Sequence, residues 1–232
     1  MTRDDQLQWE ARWAVPAGLA AFGAGLLTLV TVPLFVPEDR KGIKATADFL
    51  LTVDDKPGQF VASTVVSALA ALLLIGVFLY LFRAITARSG GIPEWFVYLV
   101  IAAPVAYAVS RVAYAIDTVD IANDFTSGGP IRGETGNERA TDLLTIGPVL
   151  GGLQIAGTVG VAFLFVMLSL RARRVGLVTP FMGILGAICG ALIVLPLAGI
   201  SFIVQGFWLA ALGALFVGRW PGGRGPAWET GE

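Results

Sequence analysis

The feature that most limits the possible folds is a series of apolar runs, each about twenty residues long or longer. A run of this length crosses the roughly 30 Å hydrocarbon core of a bilayer as a helix. Only 14% of the 232 residues are charged, whereas a soluble domain carries roughly a quarter. Transmembrane β-barrels have short segments of alternating polarity instead. The sequence therefore predicts an all-α polytopic membrane protein.

We predict a single transmembrane domain that is a bundle of six helices. Acidic residues at positions 4, 5 and 10 are unlike the basic start of a cleavable signal peptide, so we expect the first helix to remain uncleaved. The predicted helices cover about residues 14–36, 57–88, 94–124, 137–170, 179–196 and 200–218, and a short cytoplasmic tail covers 219–232.

Local signals set two of these boundaries. Asp55 and Pro57 predict a helix start near residue 57, because an acidic cap and a proline in the first turn favour one. Thr135 followed by Glu138 matches a capping box, which predicts that the fourth helix begins ahead of the membrane. Pro148 then predicts a bend within that helix.

Three predicted helices carry small residues at intervals of four positions. Such spacing lets two helix backbones approach closely in a membrane. The pattern is compatible with packing inside the chain and with self-association or partner binding. The residues concerned are Ala17, Ala21 and Gly25, then Gly147 and Gly151, then Gly186 and Gly190.

The distribution of lysine and arginine predicts the orientation. Six spans place both termini on one side, and that side carries nine of these residues on short segments, against six on longer loops opposite. The positive-inside rule then places both termini in the cytoplasm. The nine are Arg3, Arg12, Arg83, Arg88, Arg171, Arg173, Arg174, Arg219 and Arg224, and the six are Arg40, Lys41, Lys44, Lys56, Arg132 and Arg139.

Two parts of the chain carry a family resemblance. The stretch 174–228 and the end of the second predicted helix, Leu81–Arg88, resemble a family of bacterial six-pass integral membrane proteins that has no assigned activity. The layout is also similar to that of the DUF4386 membrane proteins. The resemblance implies a six-pass topology and a location in the bacterial cytoplasmic (inner) membrane, and it supplies no catalytic residues.

Arg111 is the one full charge inside a membrane-length apolar segment. It lies sixteen residues beyond Trp95, or about 24 Å at 1.5 Å per residue, in the outer third of the bilayer. An ionisable residue at membrane depth is by default a hypothesis for a functional site. Tyr107 and Tyr114 share its side of the helix, whereas Asp117 points away, so a partner must come from another helix.

We therefore predict an outer polar cluster around Arg111. The alternatives are that Arg111 extends to the lipid headgroups or fixes helix packing, and that the glutamines form bonds between helices. The predicted cluster contains Arg111, Tyr114, Asp142 and Gln205, with Tyr107, Asp117 and Gln154 as further candidates.

Composition argues against enzymatic chemistry. The chain has no histidine, and its single cysteine, Cys189, lies in an apolar run. We find no metalloprotease, nucleophile-elbow or P-loop motif, so we expect no catalytic residues, metal or cofactor. A net charge of −1 gives no indication of nucleic-acid binding.

Two functions remain open. The first is a non-enzymatic membrane protein that associates with itself as a homo-oligomer, or with a partner, through glycine-rich helix faces. The second is a small channel or transporter with the Arg111 cluster on its pathway. In both cases the lipid bilayer is the main partner, and anionic lipid at the cytoplasmic face is a further candidate.

Overall fold

The computed structural model describes residues 2–35, 45–89, 91–195, 200–221 and 227–230. Within these ranges all regular secondary structure is helical, which confirms the all-α part of the predicted class. The charged part of the first loop (36–44) and the predicted turn at 196–199 lie outside the described residues. The helices are α1 (Arg3–Leu34), α2 (Ala45–Asp55), α3 (Pro57–Arg88), α4 (Phe96–Ser127), α5 (Gly133–Leu143), α6 (Pro148–Arg174), α7 (Pro180–Val194), α8 (Ile200–Phe216) and α9 (Ala227–Thr230).

Among the described residues, four helices are long and apolar enough to cross a membrane: α1, α3, α4 and α6. The helices α7 and α8 are also apolar, but they have only 15 and 17 residues. At 1.5 Å per residue they measure about 22 and about 26 Å, less than the roughly 30 Å hydrocarbon core. Four spanning-length helices support a membrane protein, and helix length alone does not extend the count to six.

Six of the helices close into a ring. Going round it, α1 packs on α3, α3 on α4, α4 on α6, α6 on α7, α7 on α8, and α8 returns to α1. Across the ring, α3 also contacts α6. The short helices α7 and α8 are therefore part of the same ring as the four long helices.

The two ends of the bundle differ in charge. At the arginine-rich end α1 begins and α3 and α6 end, with Arg88, Arg171, Arg173 and Arg174. At the acidic end α4 finishes and the short helices α2 and α5 pack against it. The exposed carboxylates there include Asp55, Asp117, Asp120, Asp124, Glu134, Glu138 and Asp142.

The prediction of one continuous helix over 137–170 is wrong. Residues 144–147 are not helical, and they separate α5 from α6. Thr135 lies inside α5 and does not cap it; the residue before the first turn is Arg132. Pro148 takes the first turn of α6, where its missing N–H leaves no helical hydrogen bond unmade.

The acidic end is built on the C-terminal turns of α4. This helix has 32 residues, about 48 Å, so it is longer than the membrane core is thick. Its Phe125 is fully buried beside α2 and α5. Phe35, Phe49 and Phe60 make three edge-to-face contacts that join α1, α2 and α3, with ring centroids 5.0 to 6.2 Å apart.

Most of the small residues predicted at four-residue intervals, here called glycine seams, pack against other helices of the same chain. Gly18 and Gly25 of α1 face Gly213 and Gly206 of α8, so these two backbones touch. On α7, a Cβ added at Gly190 would lie 2.5 Å from the carbonyl oxygen of Ala162 on α6. The faces predicted around Gly25 and Gly190 are therefore occupied by neighbouring helices. Of the three predicted seams, only the one with Gly147 and Gly151 lies nearer the surface, at the start of α6.

Candidate functional site

A cavity of about 40 Å³ lies where all six helices of the ring meet. A water molecule needs roughly 10–15 Å³ of such space, so the cavity has room for a few waters or one small solute. Each helix of the ring contributes at least one side chain. The lining residues are Thr28, Thr31, Ser67, Ala70, Ala71, Leu74, Tyr107, Val161, Ile193, Phe202 and Gln205.

Five polar side chains line this cavity, and three of them have unused hydrogen-bonding groups. The hydroxyls of Thr28 and Thr31 each donate to a backbone carbonyl one turn earlier, at 2.8 Å. In the described part of the chain, the side chains of Ser67, Tyr107 and Gln205 make no hydrogen bond. A half-buried polar group is stabilised by a hydrogen bond, so these three side chains are free to bond to water or to a solute in the cavity.

Close packing of α4 on α6 fixes the position of Tyr107. Gly157 of α6 lies against its backbone, and one turn further on Gly160 lies against Ala103. The two helices therefore run antiparallel in close contact. Towards the arginine-rich end, Phe78 and Phe165 stack edge to face with centroids 5.1 Å apart. Both rings are fully buried, so apolar side chains close the cavity on that side.

Arg111 lies one turn beyond Tyr107, towards the acidic end. It is half-buried, and its Nε atom is buried without a hydrogen-bond partner. Among the described residues it forms no hydrogen bond and no ion pair. The antiparallel register places Gln154 of α6 opposite this part of α4, three residues before Gly157. Arg111 and Gln154 therefore lie between the cavity and the acidic end.

The structure brings together only some of the predicted site residues. Tyr107 and Gln205 meet at the cavity. Tyr114 instead packs among the apolar residues of the acidic end, and Asp117 and Asp142 are exposed. Asp142 belongs to α5, which the break at 144–147 separates from the ring, so it does not stand at the mouth of a spanning helix.

One polar contact that the sequence did not predict is a buried ion pair between Glu10 of α1 and Arg88 of α3. Two parallel hydrogen bonds join Nη1 to Oε1 at 2.5 Å and Nη2 to Oε2 at 3.0 Å. The Arg88 side chain is 1% exposed and that of Glu10 is 3% exposed. Gln6 also donates to Glu10 Oε1 at 2.8 Å.

The helix α9 covers this ion pair. Arg88 donates from Nε and Nη2 to the carbonyl oxygen of Ala227, at 3.1 and 2.6 Å. Trp228 stacks on Tyr80 and donates from Nε1 to the carbonyl of Leu177 at 2.8 Å. Part of the predicted tail is thus packed into the arginine-rich end. With all three guanidinium nitrogens bonded, the ion pair has a structural role.

One sequence signal points to this pair in retrospect. Glu10 precedes the apolar run of the first predicted helix, and Arg88 follows the apolar run of the second. Two consecutive antiparallel helices place these positions at the same level. Taken separately, Glu10 argues against a signal peptide and Arg88 indicates topology, and neither role suggests that the two charges meet.

Comparisons with known proteins add no further constraint. No protein-family model matches the chain, and no curated protein or solved structure is significantly similar to it. Within the described ranges, no group of three His, Cys, Asp or Glu side chains is placed to hold a metal ion. The geometry of the cavity is therefore the feature that indicates a function.

Proposed function

We propose that this protein is a non-enzymatic six-pass protein of the bacterial cytoplasmic membrane, a small channel or transporter whose central cavity binds a small polar solute. The observation that carries the proposal is the meeting of all six ring helices at a cavity with three unpaired polar side chains. Binding sites between helices of a bundle are typical of transport proteins.

The proposed topology has six passes with both termini in the cytoplasm. The positions of α7 and α8 in the ring support it, because they lie between α6 and α1, two helices of spanning length. The arginine-rich end is then the cytoplasmic end by the positive-inside rule. The acidic end, with α2 and α5, faces the outside.

The chemistry of the cavity favours a small uncharged polar solute. Ser67, Tyr107 and Gln205 supply both donors and acceptors, which can replace part of the hydration of a polar solute. The guanidinium of Arg111 on the outer side raises the electrostatic barrier to cations, as a positive group does in other selective pores. Phe78 and Phe165 form the barrier on the cytoplasmic side.

Self-association through glycine-rich faces has less support. The faces around Gly25 and Gly190 are buried against α8 and α6 within one chain. A partner cannot reach them while the ring is closed.

Flux in reconstituted vesicles tests the proposal. We expect proteoliposomes to take up water, glycerol or urea faster than protein-free liposomes in stopped-flow light scattering, with no rise in potassium leak. Gln205→Leu removes a cavity amide and lowers that uptake by about tenfold, which corresponds to about 1.4 kcal/mol at the barrier. Gln59→Leu, at an exposed position of α3, is the matched control and leaves uptake unchanged. Uptake equal to that of protein-free liposomes for all three solutes overturns the proposal.

A further inference from the structure

A second, larger space lies between α1 and α3 near the arginine-rich end. This groove of about 280 Å³ is separate from the central cavity and mostly apolar. It forms because Ala17 and Gly76 carry little or no side chain where the two helices pass. Trp9, Trp13, Pro16, Ala17, Gly76, Leu79, Tyr80 and Arg83 line it.

Among the described residues that line this groove, Arg83 is the one cation. Its guanidinium carbon lies 5.3 Å from the ring centroid of Trp9, which holds it by a cation–π contact. The residue is exposed, and its side chain makes no hydrogen bond or ion pair with any described residue. Arg88, little more than one turn further along α3, is by contrast fully bonded to Glu10 and Ala227. Arg83 therefore retains all five N–H donors for a ligand.

We propose that this groove binds one anionic glycerophospholipid of the surrounding bilayer. The lipid phosphate lies on Arg83, because a guanidinium matches the geometry of a phosphate with two parallel hydrogen bonds. An acyl chain lies along Pro16, Ala17 and Leu79. Trp13, which is 46% exposed, sits at the level of the headgroups, where tryptophan is enriched in membrane proteins.

The charge of Arg83 and the position of the groove on two membrane-length helices together favour an anionic phospholipid as the occupant. The groove lies on two helices of spanning length, so lipid chains are its surroundings in a membrane. A zwitterionic lipid fills the apolar part equally well but carries a compensating cation near its phosphate. Free inorganic phosphate bonds to Arg83 but leaves the apolar part of the groove empty. A basic site beside transmembrane helices is the usual recognition chemistry for anionic headgroups.

Lipid binding to the purified full-length chain tests this proposal. Native mass spectrometry in detergent gives the affinities for dioleoyl phosphatidylglycerol and for dioleoyl phosphatidylcholine, which share their acyl chains. We expect Arg83→Gln to weaken phosphatidylglycerol binding about tenfold and to leave phosphatidylcholine binding unchanged. Arg174→Gln, an exposed arginine at the same end, is the control and changes neither affinity.

A second variant measures the contribution of the apolar groove separately from that of the Arg83 charge. Gly76→Leu fills the groove while Arg83 stays in place, and we expect it to weaken the binding of both lipids. Monodispersity on size exclusion checks that each variant is folded. Equal affinity of the wild type for both lipids overturns the proposal, as does an equal loss of phosphatidylglycerol binding in Arg83→Gln and Arg174→Gln. Inorganic phosphate that competes as well as the lipid also overturns it, because the groove then contributes nothing.

Discussion

Glu10→Gln is expected to lower the free energy of unfolding by about 3–5 kcal/mol, the largest effect of any single substitution proposed for this chain. The reason is the burial of its partner. The Arg88 side chain is only 1% exposed, so removing the carboxylate leaves a cation without compensation in an apolar setting. Gln6 also loses a charged acceptor. Arg88→Gln has a similar effect, because it leaves the buried carboxylate of Glu10 without a cation.

Equilibrium unfolding of the purified protein in mixed micelles measures this effect. The double variant with Gln at both positions 10 and 88 restores neutrality, so its loss is smaller than the sum of the two single losses. Arg12→Gln, at an exposed position on α1, changes stability by less than about 0.5 kcal/mol. A loss below about 1 kcal/mol in both single variants contradicts the buried ion pair.

Gly157→Ala is expected to lower the free energy of unfolding by about 1–3 kcal/mol, although alanine is the better helix former. An added Cβ at this position would lie 2.5 Å from the backbone nitrogen of Tyr107 and 2.7 Å from its Cα. Backbone atoms inside a helix cannot rotate away, so α4 and α6 must separate. Because Tyr107 lines the cavity, the same change displaces one of its polar groups.

The same helix offers a matched control for this substitution. Gly152 also lies in α6 and is exposed, and a Cβ added there would meet no neighbouring atom within 4 Å. Gly152→Ala should therefore be neutral or stabilise the protein by up to about 1 kcal/mol. Thermal unfolding in detergent compares the two variants. Equal effects at positions 152 and 157 contradict the close packing of α4 on α6.

Much of the helical arrangement was predictable because apolar length and turn chemistry are local properties. The start of α3 at Pro57 follows from the proline. The predicted acidic cap is wrong, because Asp55 is the last residue of α2 and Lys56 precedes the first turn of α3. The break at 144–147 was missed because Thr135 and Glu138 have the spacing of a capping box, and spacing does not reveal whether a helix continues. Pro148, predicted to bend a helix, is instead the first residue of α6.

The polar interior was harder to predict because it depends on which helices become neighbours. A helical wheel shows that Arg111 shares a face with Tyr107 but does not show what stands opposite. The partnership of Glu10 with Arg88 and the position of Trp228 both depend on contacts between distant parts of the chain. The small-residue spacing of Gly186 and Gly190 predicted close packing without identifying α6 as the partner.

Hydroxyl-radical footprinting by X-ray radiolysis in ¹⁸O-labelled water most directly tests whether the ring of six helices encloses a hydrated cavity. Radiolysis forms hydroxyl radicals at the positions of the water molecules, and mass spectrometry identifies the side chains to which the radicals add oxygen. Tyr107 faces the cavity, whereas Tyr80 is 2% exposed and stacked between Trp9 and Trp228. We predict that Tyr107 takes up ¹⁸O about ten times faster than Tyr80, and that Gln205→Leu reduces this difference. Equal, slow uptake at both tyrosines would mean a dry interior and would contradict a solute site in the bundle.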